Sequence, residues 1–474
     1  MPDIRPIMPE VIMVCLALVV MVLDLAIRRK DIIALLSIIT AGVVAYALFG
    51  TQGEAFSGMY ISDGYSLFFK IIFLISMILS VLISVRYIEI EKVNLGEYYT
   101  LMLFSTLGMM VMASAGDIIV LYLGLELMAL STYVLSGFLR HNIRSNEAAL
   151  KYFLLGAFAS AFLIYGTSII YGLTGTTDLK AIAGFIKAKG IAENPALMFS
   201  MILLVVAFGF KIAAAPFHMW APDVYEGAPT SITAFMSVGP KAAGFAALGR
   251  VFLVAFGNLQ VDWAAILIPI SILTMAIGNI LAIVQTNIKR MLAYSSIAHA
   301  GYALIGIISG GSDGIASMMG YLFIYAFMNI GAFAVIISLR SEKGEPSSGC
   351  DIADYEGLSK THPLISALML IFMFSLTGIP PTAGFIGKFY LFMAAVKTGY
   401  TYLAIVAVIF SAVSAYFYLR IVMYMYMMEP GTEITLSTST PAGIALAVTA
   451  IAVIVIGVFP SPVIDLARAA VAGF

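Results

Sequence analysis

FGFKIAAAPFHMWAPDVYEGAPTSITAFMSVGPKAAGF, residues 208–245, is the stretch whose reading decides the fold. It holds two lysines, Lys211 and Lys241, each flanked by apolar or small residues for most of a helical turn. A lysine near the centre of a membrane helix costs about 2.5–3.5 kcal/mol on insertion scales, so it is rarely left unpaired. Pro216, five residues after Lys211, has no N–H and releases the carbonyl of Ile212. A buried cation and a proline within two turns predict a broken membrane helix that faces protein or water rather than lipid. A single such lysine could snorkel from a kinked helix. Two of them in one stretch argue against that.

The composition agrees. The chain of 474 residues is 62% hydrophobic and 11% charged, with mean hydropathy +1.03. Soluble domains are about 45–50% apolar and 25% charged, so this is an all-α polytopic membrane protein. The net charge of −1 points to no nucleic-acid partner. Cys15 and Cys350 are too few and too far apart for a metal or iron–sulfur motif. The four histidines, His141, His218, His299 and His362, form no close pair. No cofactor is expected in this chain. Pro9–Ile27 is apolar like a signal peptide, but no small-residue cleavage site follows, so it is read as a retained first span.

A spanning helix needs about 20 mostly apolar residues. By that rule about fourteen spans are predicted: 9–27, 32–49, 64–85, 98–114, 117–139, 150–173, 196–219, 229–256, 262–286, 290–309, 314–339, 363–397, 400–428 and 441–459. Odd-numbered loops carry Arg28, Arg29, Lys30, Arg86, Lys92, Arg140, Arg144, Lys289, Arg290, Arg340, Lys343 and Lys360. Even-numbered loops carry chiefly Lys180, Lys187 and Lys189, so the odd loops are expected to be cytoplasmic and both termini outside.

Span five holds a single carboxylate, Glu126, near its middle. Its expected partner is Lys211 from span seven; the alternative is a neutral acid bonded to a hydroxyl such as Ser131 or Thr132. Lys151 in span six lies four residues after Glu147, a spacing that serves equally for a helical ion pair at the membrane edge and for a proton site. Lys241 follows Gly239-Pro240, and that proline frees the carbonyl of Met236. Lys70, Arg250 and Arg420 lie nearer helix ends and are expected to snorkel. His299 sits about two and a half turns inside span ten, where it is either a structural hydrogen-bonding group or part of a relay. Span twelve breaks again at Gly378-Ile379-Pro380-Pro381, with Lys388 beyond it. The two broken helices lie five spans apart and so run in opposite directions. That is the mark of an inverted repeat, spans four to eight matching nine to thirteen, with an ion site near the midplane. The expected units are 1–97 (spans one to three), 98–256 and 257–428 (the two repeats) and 429–474 (span fourteen).

KIAAAPFHMWAPDVYEGAPT, IKRMLAYSSIAHAGY and LTGIPPTAGFIGKFYLF resemble the antiporter-like, Mrp-related membrane subunits of respiratory complex I, the bacterial NADH–quinone oxidoreductase. The first and third are most similar to the N type. The resemblance spans nearly the whole chain. It implies fourteen helices in two inverted five-helix repeats, and proton translocation beside redox chemistry done by other subunits. It also implies sister antiporter-like subunits as partners, a lipid bilayer as surroundings and, for its setting, a bacterial inner membrane. Residue by residue, it assigns Glu126 and Lys211 as the paired glutamate and lysine. It assigns Lys241 as the link between half-channels, Lys388 as the terminal residue and Lys151 as a further lysine. The lysine at 388 fits the N type, since one sister subunit has a glutamate there. A free-standing or Mrp-type cation/proton antiporter, or a subunit of the related hydrogenase and deazaflavin-linked complexes, would use the same features. Lysine suits proton transport because burial lowers its proton affinity and a nearby glutamate raises it, whereas arginine stays charged.

The loop bias yields a test independent of the resemblance. Gly473→Cys in a background lacking Cys15 and Cys350 is expected to react with an impermeant thiol reagent from the outer side alone; labelling only from the cytoplasm reverses the topology.

Overall fold

The computed structural model describes residues 4–189, 194–339, 349–430, 436–437 and 439–474. Arg340 and Lys343, counted above among the odd loops, lie outside the described residues. The first unit runs α1 (Met8–Ala26), α2 (Lys30–Ala47), a hairpin of β1 (Gly53–Ala55) and β2 (Tyr60–Ser62), then α3 (Gly64–Ile90). There follow α4 (Glu97–Ser114), α5 (Ile118–Ser136), α6 (Ile143–Thr174) and the surface helix α7 (Leu179–Lys189). The seventh span is split into α8 (Pro195–Lys211) and α9 (Trp220–Gly227), and α10 (Thr230–Gly249) is prolonged by a π-helical stretch, Arg250–Ala255. Next come α11 (Gln260–Ile283), α12 (Ile288–Ser309), α13 (Gly311–Ser338) and the short α14 (Leu358–Thr361). The twelfth span is split into α15 (Pro363–Thr377) and α16 (Ala383–Lys397), before α17 (Thr401–Met427), α18 (Thr440–Val458) and the amphipathic α19 (Ser461–Val471).

All fourteen predicted spans fall on helices. Eleven helices among the described residues are long and apolar enough to cross a membrane, and the other three spans are α4 and the two split ones. α10, α12 and α13 are almost wholly buried, whereas α6, α11, α17 and α18 present apolar side chains such as Phe158, Ile280, Val408 and Ile451 outward. A helix apolar all round belongs in the interior. These three form the axis of the molecule.

Two features recur along the chain in matching order. α4 meets α5 through Gly108 and Gly124, and α11 meets α12 through Gly278 and Gly301; at each, an added Cβ would strike backbone atoms of the other helix within 3.0 Å. Small residues let membrane helices approach this closely. Asp117, before α5, bridges to Asp178 after α6, and Asn287, before α12, bridges to Asp351 after α13. Both recurrences support the five-span repeat.

The expected snorkelling of Lys70, Arg250 and Arg420 is overturned. Lys70 is fully buried, with Nζ 2.8 Å from Glu10 Oε1 and 2.9 Å from the Tyr60 hydroxyl. Arg250 donates from both terminal nitrogens to Asp63, at 2.6 Å each, and reaches the carbonyl of Ala113. Its guanidinium lies beside the stacked rings of Tyr65 and Phe474, 4.9 and 5.1 Å from their centroids. Arg420 donates to the carbonyls of Ile283 and Gln285 at the C-terminal end of α11, where a cation is favoured. Snorkelling is driven by the lack of partners in lipid. Here α1, the hairpin, the N-cap of α3 and the end of α11 supply them.

Asp63 also caps α3, accepting from the N–H of Ser66 at 2.8 Å. Burial raises its proton affinity, but the Arg250 charge and these hydrogen bonds outweigh it and hold the carboxyl below its usual value of 3.8. A folded-state pKa below the unfolded one stabilises the fold above the unfolded pKa, and that gain is lost as pH falls through the folded value. Asp63→Asn is expected to cost about 3–5 kcal/mol by stranding Arg250. In detergent, its deficit in thermal stability should shrink as the pH is taken below 3.8. A pH-independent deficit removes the ion pair as its cause.

Candidate functional site

The first cluster is built on α5, α6 and α8. α8 ends at Lys211, earlier than Pro216 itself requires, because Ala213 takes a left-handed conformation at φ +57°. The unwound residues find partners inside the protein. Ala215 N–H donates to Thr274 Oγ1 at 2.9 Å, and Trp220 Nε1 donates to the carbonyl of Phe210 at 2.9 Å. Lys211 is buried at this break, with Nζ 3.4 Å from the Tyr133 hydroxyl and over the rings of Tyr133 and Phe210. Glu126 does not form the expected ion pair with it. Its carboxylate accepts from the Ser160 hydroxyl on α6, and no contact within 4 Å joins it to Lys211. Tyr133, two turns along α5 from Glu126, is the α5 side chain that Lys211 meets instead.

The second cluster lies on α10, α12 and α16. α10 continues through Pro240, and the freed carbonyl of Met236 is met by the Tyr225 hydroxyl at 3.5 Å. Lys241, buried, donates to the backbone carbonyl of Ser296 at 2.6 Å and to its hydroxyl. An added Cβ on Gly244, one turn on, would lie 3.5 Å from Lys211 Cβ, so the two lysines occupy adjoining sites. On α12, Ser296, His299 and Tyr302 are three residues apart and share one face. His299 places Nδ1 2.5 Å from the Tyr321 hydroxyl and Nε2 3.1 Å from that of Tyr418. Its ring also packs against Tyr302, whose own ring lies 5.1 Å from Lys388 Nζ.

Lys388 is the end of this row. α15 stops at Gly378, whose φ of +91° suits glycine, and α16 starts at Ala383. Gly384 lets the second half turn back on the first, because a Cβ there would stand 1.7 Å from the Ser375 carbonyl. Lys388 Nζ donates to the open carbonyls of Leu376 and Thr377, at 3.0 and 2.8 Å, and to Ser411 Oγ at 2.9 Å. Both lysines are thus buried beside a break, Lys388 on freed carbonyls and Lys211 against a hydroxyl and two rings.

Lys151 lies apart from these, at the half-exposed end of α6. It pairs with Glu147, as the spacing implies, and with Asp223 of α9, each at 2.7 Å. Asp223 and Glu226 both receive Arg290 Nη1, at 2.8 and 3.0 Å. This ionic mouth joins cavities of about 510 and 230 Å³ that share Asp223 and Arg290. The sequence reading missed Asp223, Glu226, Ser160 and the tyrosines. Asp223 and Glu226 sit inside the stretch that opened the reading, and carboxylates on the far side of a broken helix were the signal. Among the described residues no group of three or more His, Cys, Asp or Glu stands together as metal ligands would.

Glu126 and the buried lysines Lys211, Lys241 and Lys388 span residues 126–388. The sequence profile of the NADH:quinone oxidoreductase/Mrp antiporter transmembrane family matches residues 115–417, which contain all of them. The chain belongs to that family. NADH-quinone oxidoreductase subunit N of Trichlorobacter lovleyi is 50% identical over 99% of this chain and 97% of its own length. The protein of the same description from Thermodesulfovibrio yellowstonii, subunit N 1, is 45% identical over 97% of both chains. Among solved structures, a chain of respiratory complex I from Thermus thermophilus superposes with TM-score 0.82 at 32% identity, covering 97% of this chain and 99% of that one. A chain of the Dietzia Mrp complex matches with TM-score 0.86 at 21% identity, covering 99% and 97%, and so shares the fold. Within the family, the N-type relatives match nearly end to end.

The geometry of the mouth generates its own expectation. Asp223→Asn unlinks Lys151 from Arg290 while leaving both buried rows untouched. It is expected to slow ion uptake, lowering the rate of coupled proton movement while the amount of assembled protein in the membrane is unchanged. An unaltered rate makes the mouth a structural latch.

Proposed function

We propose that this chain is a proton-translocating, non-redox membrane subunit of an NADH–quinone oxidoreductase. The observation that carries this is the row of buried or half-buried polar side chains that reaches across both halves of the molecule, with no charged partner within salt-bridge distance among the described residues. Glu126, Tyr133 and Lys211 form one end. Lys241, Ser296, His299, Tyr302 and Lys388 form the other, in contact with each other directly or through one hydroxyl or ring. A lysine bonded to neutral carbonyls and hydroxyls is free to lose a proton; one locked to a carboxylate is not. His299 serves as a relay in this reading, between Lys241 and Lys388. Lys151 belongs to the cytoplasmic entrance, and both termini face outward.

The chain carries no cofactor of its own. Its partners are other membrane subunits of the complex, including sister antiporter-like subunits, in a bacterial inner membrane. The near end-to-end identity to N-type subunits favours this over an Mrp-type antiporter, with which the chain shares the fold at lower identity.

Lys211→Ala and Glu126→Ala are each expected to leave assembly intact and to lower coupled quinone reduction and proton pumping. The loss should be about tenfold or more, since positioned acid–base groups contribute about 10²- to 10⁴-fold. Lys211→Arg should also impair pumping, because a guanidinium does not give up its proton. Mass spectrometry of the intact membrane complex decides the class: isolation of the chain with Mrp subunits and without redox subunits refutes the proposal.

A further inference from the structure

Outside the segment matched by the family profile, one more buried acid–base pair is left unused by this mechanism. Glu10, in the first turn of α1, is 3% exposed, and Lys70 on α3 is fully buried. Lys70 Nζ stands 2.8 Å from Glu10 Oε1, but neither carboxylate oxygen accepts a well-directed hydrogen bond. The second partner of Lys70 is the Tyr60 hydroxyl, at 2.9 Å, with the ring centroid 5.2 Å away. Taking two charges out of water costs several kcal/mol per ion unless further hydrogen bonds compensate. Few do here. Proton transfer from the ammonium to the carboxylate, breaking N–H and forming O–H, leaves two neutral groups and removes that cost.

The set repeats the chemistry of the first functional cluster. There, too, a lysine points at a tyrosine hydroxyl and ring with a glutamate nearby. The difference is that Glu126 is held away from Lys211, whereas Glu10 touches Lys70. Lys70 lies six residues into α3, about 9 Å from its start at 1.5 Å per residue. It is therefore close to the face that carries the hairpin and both termini. Ile61, next to Tyr60, lines a cavity of about 350 Å³ with Asp63 and Arg250. Burial first, and the Glu10 charge next, hold the Tyr60 phenol well above its ordinary value, so its hydroxyl keeps a proton to pass on.

We infer that Glu10, Lys70 and Tyr60 form a second proton-exchange site, which hands protons between the membrane interior and the face bearing the termini. This rests on the proton-translocating role proposed above. The competing account is that the pair only fastens α1 to α3.

The test uses the full complex in native membranes, measuring the amount of assembled complex and the protons moved per electron, with Lys211→Ala as reference. Lys70→Arg keeps the ion pair but holds its proton. It is expected to assemble normally and to lower the proton-to-electron ratio at least twofold, and Glu10→Gln to do likewise. Normal pumping by assembled Lys70→Arg overturns the inference. Should that variant fail to assemble, the double variant Glu10→Met with Lys70→Met decides. Restored assembly with full pumping makes the pair a fastener, and restored assembly with reduced pumping supports the site. If Lys211→Ala pumps normally, the proton-translocating reading itself fails; if only the Glu10 and Lys70 variants do, this inference alone falls.

Discussion

A bilayer interior supplies no water to a freed carbonyl or to an ammonium, so each must find the other inside the protein. At Lys388 they do. The open C-terminal end of α15 offers the carbonyls of Leu376 and Thr377, and the lysine in the second turn of α16 occupies them. The broken helix and the buried cation are thus one structure: the break without the lysine would leave acceptors unmet, and the lysine without the break would be an unpaired charge. Lys211 uses the other split helix differently, because Trp220 and Thr274 already satisfy the unwound backbone there. That leaves the first ammonium with only a 3.4 Å contact to a hydroxyl and the faces of two rings.

The separation of Glu126 from Lys211 supplies a control. Anchored by Ser160 on a neighbouring helix, the carboxylate can approach Lys211 only if that bond yields. Approach would favour the charged lysine and withdrawal the neutral one. Relative movement of α5, α6 and α8 would thereby change the proton affinity of Lys211.

The spans, both breaks and the core lysines were legible in the sequence because their signals are local: apolar length, a proline and a lysine within two turns. The ends of the helices were not. Lys70 and Glu10 are 60 residues apart and Arg250 and Asp63 187 apart, so nothing near Lys70 or Arg250 in the sequence announces its partner. A rule about distance from a helix end gave snorkelling, and the packed hairpin and termini made those ends interior. The Glu126–Lys211 contact failed for the opposite reason. Charge complementarity names the partner, but whether two side chains on different helices touch depends on the positions of hydroxyls such as Ser160, which carry no charge to mark them.

Ordinary residue types likewise hid the connection between the two lysine sites. Ser296, His299 and Tyr302 are unremarkable singly, and only their three-residue spacing on one buried face of α12 turns them into a row. Ser296 meets Lys241, His299 meets two tyrosine hydroxyls, and Tyr302 lies under Lys388. α12 can hold all three inward because it is buried on every side, with α10 and α13 against it. A half-exposed helix would have to spend one face on lipid, and a row along such a helix would leak at its edge. The central position of α12 is therefore what permits a histidine to sit between two lysines with both ring nitrogens bonded, and the lipid-facing helices around it serve that insulation.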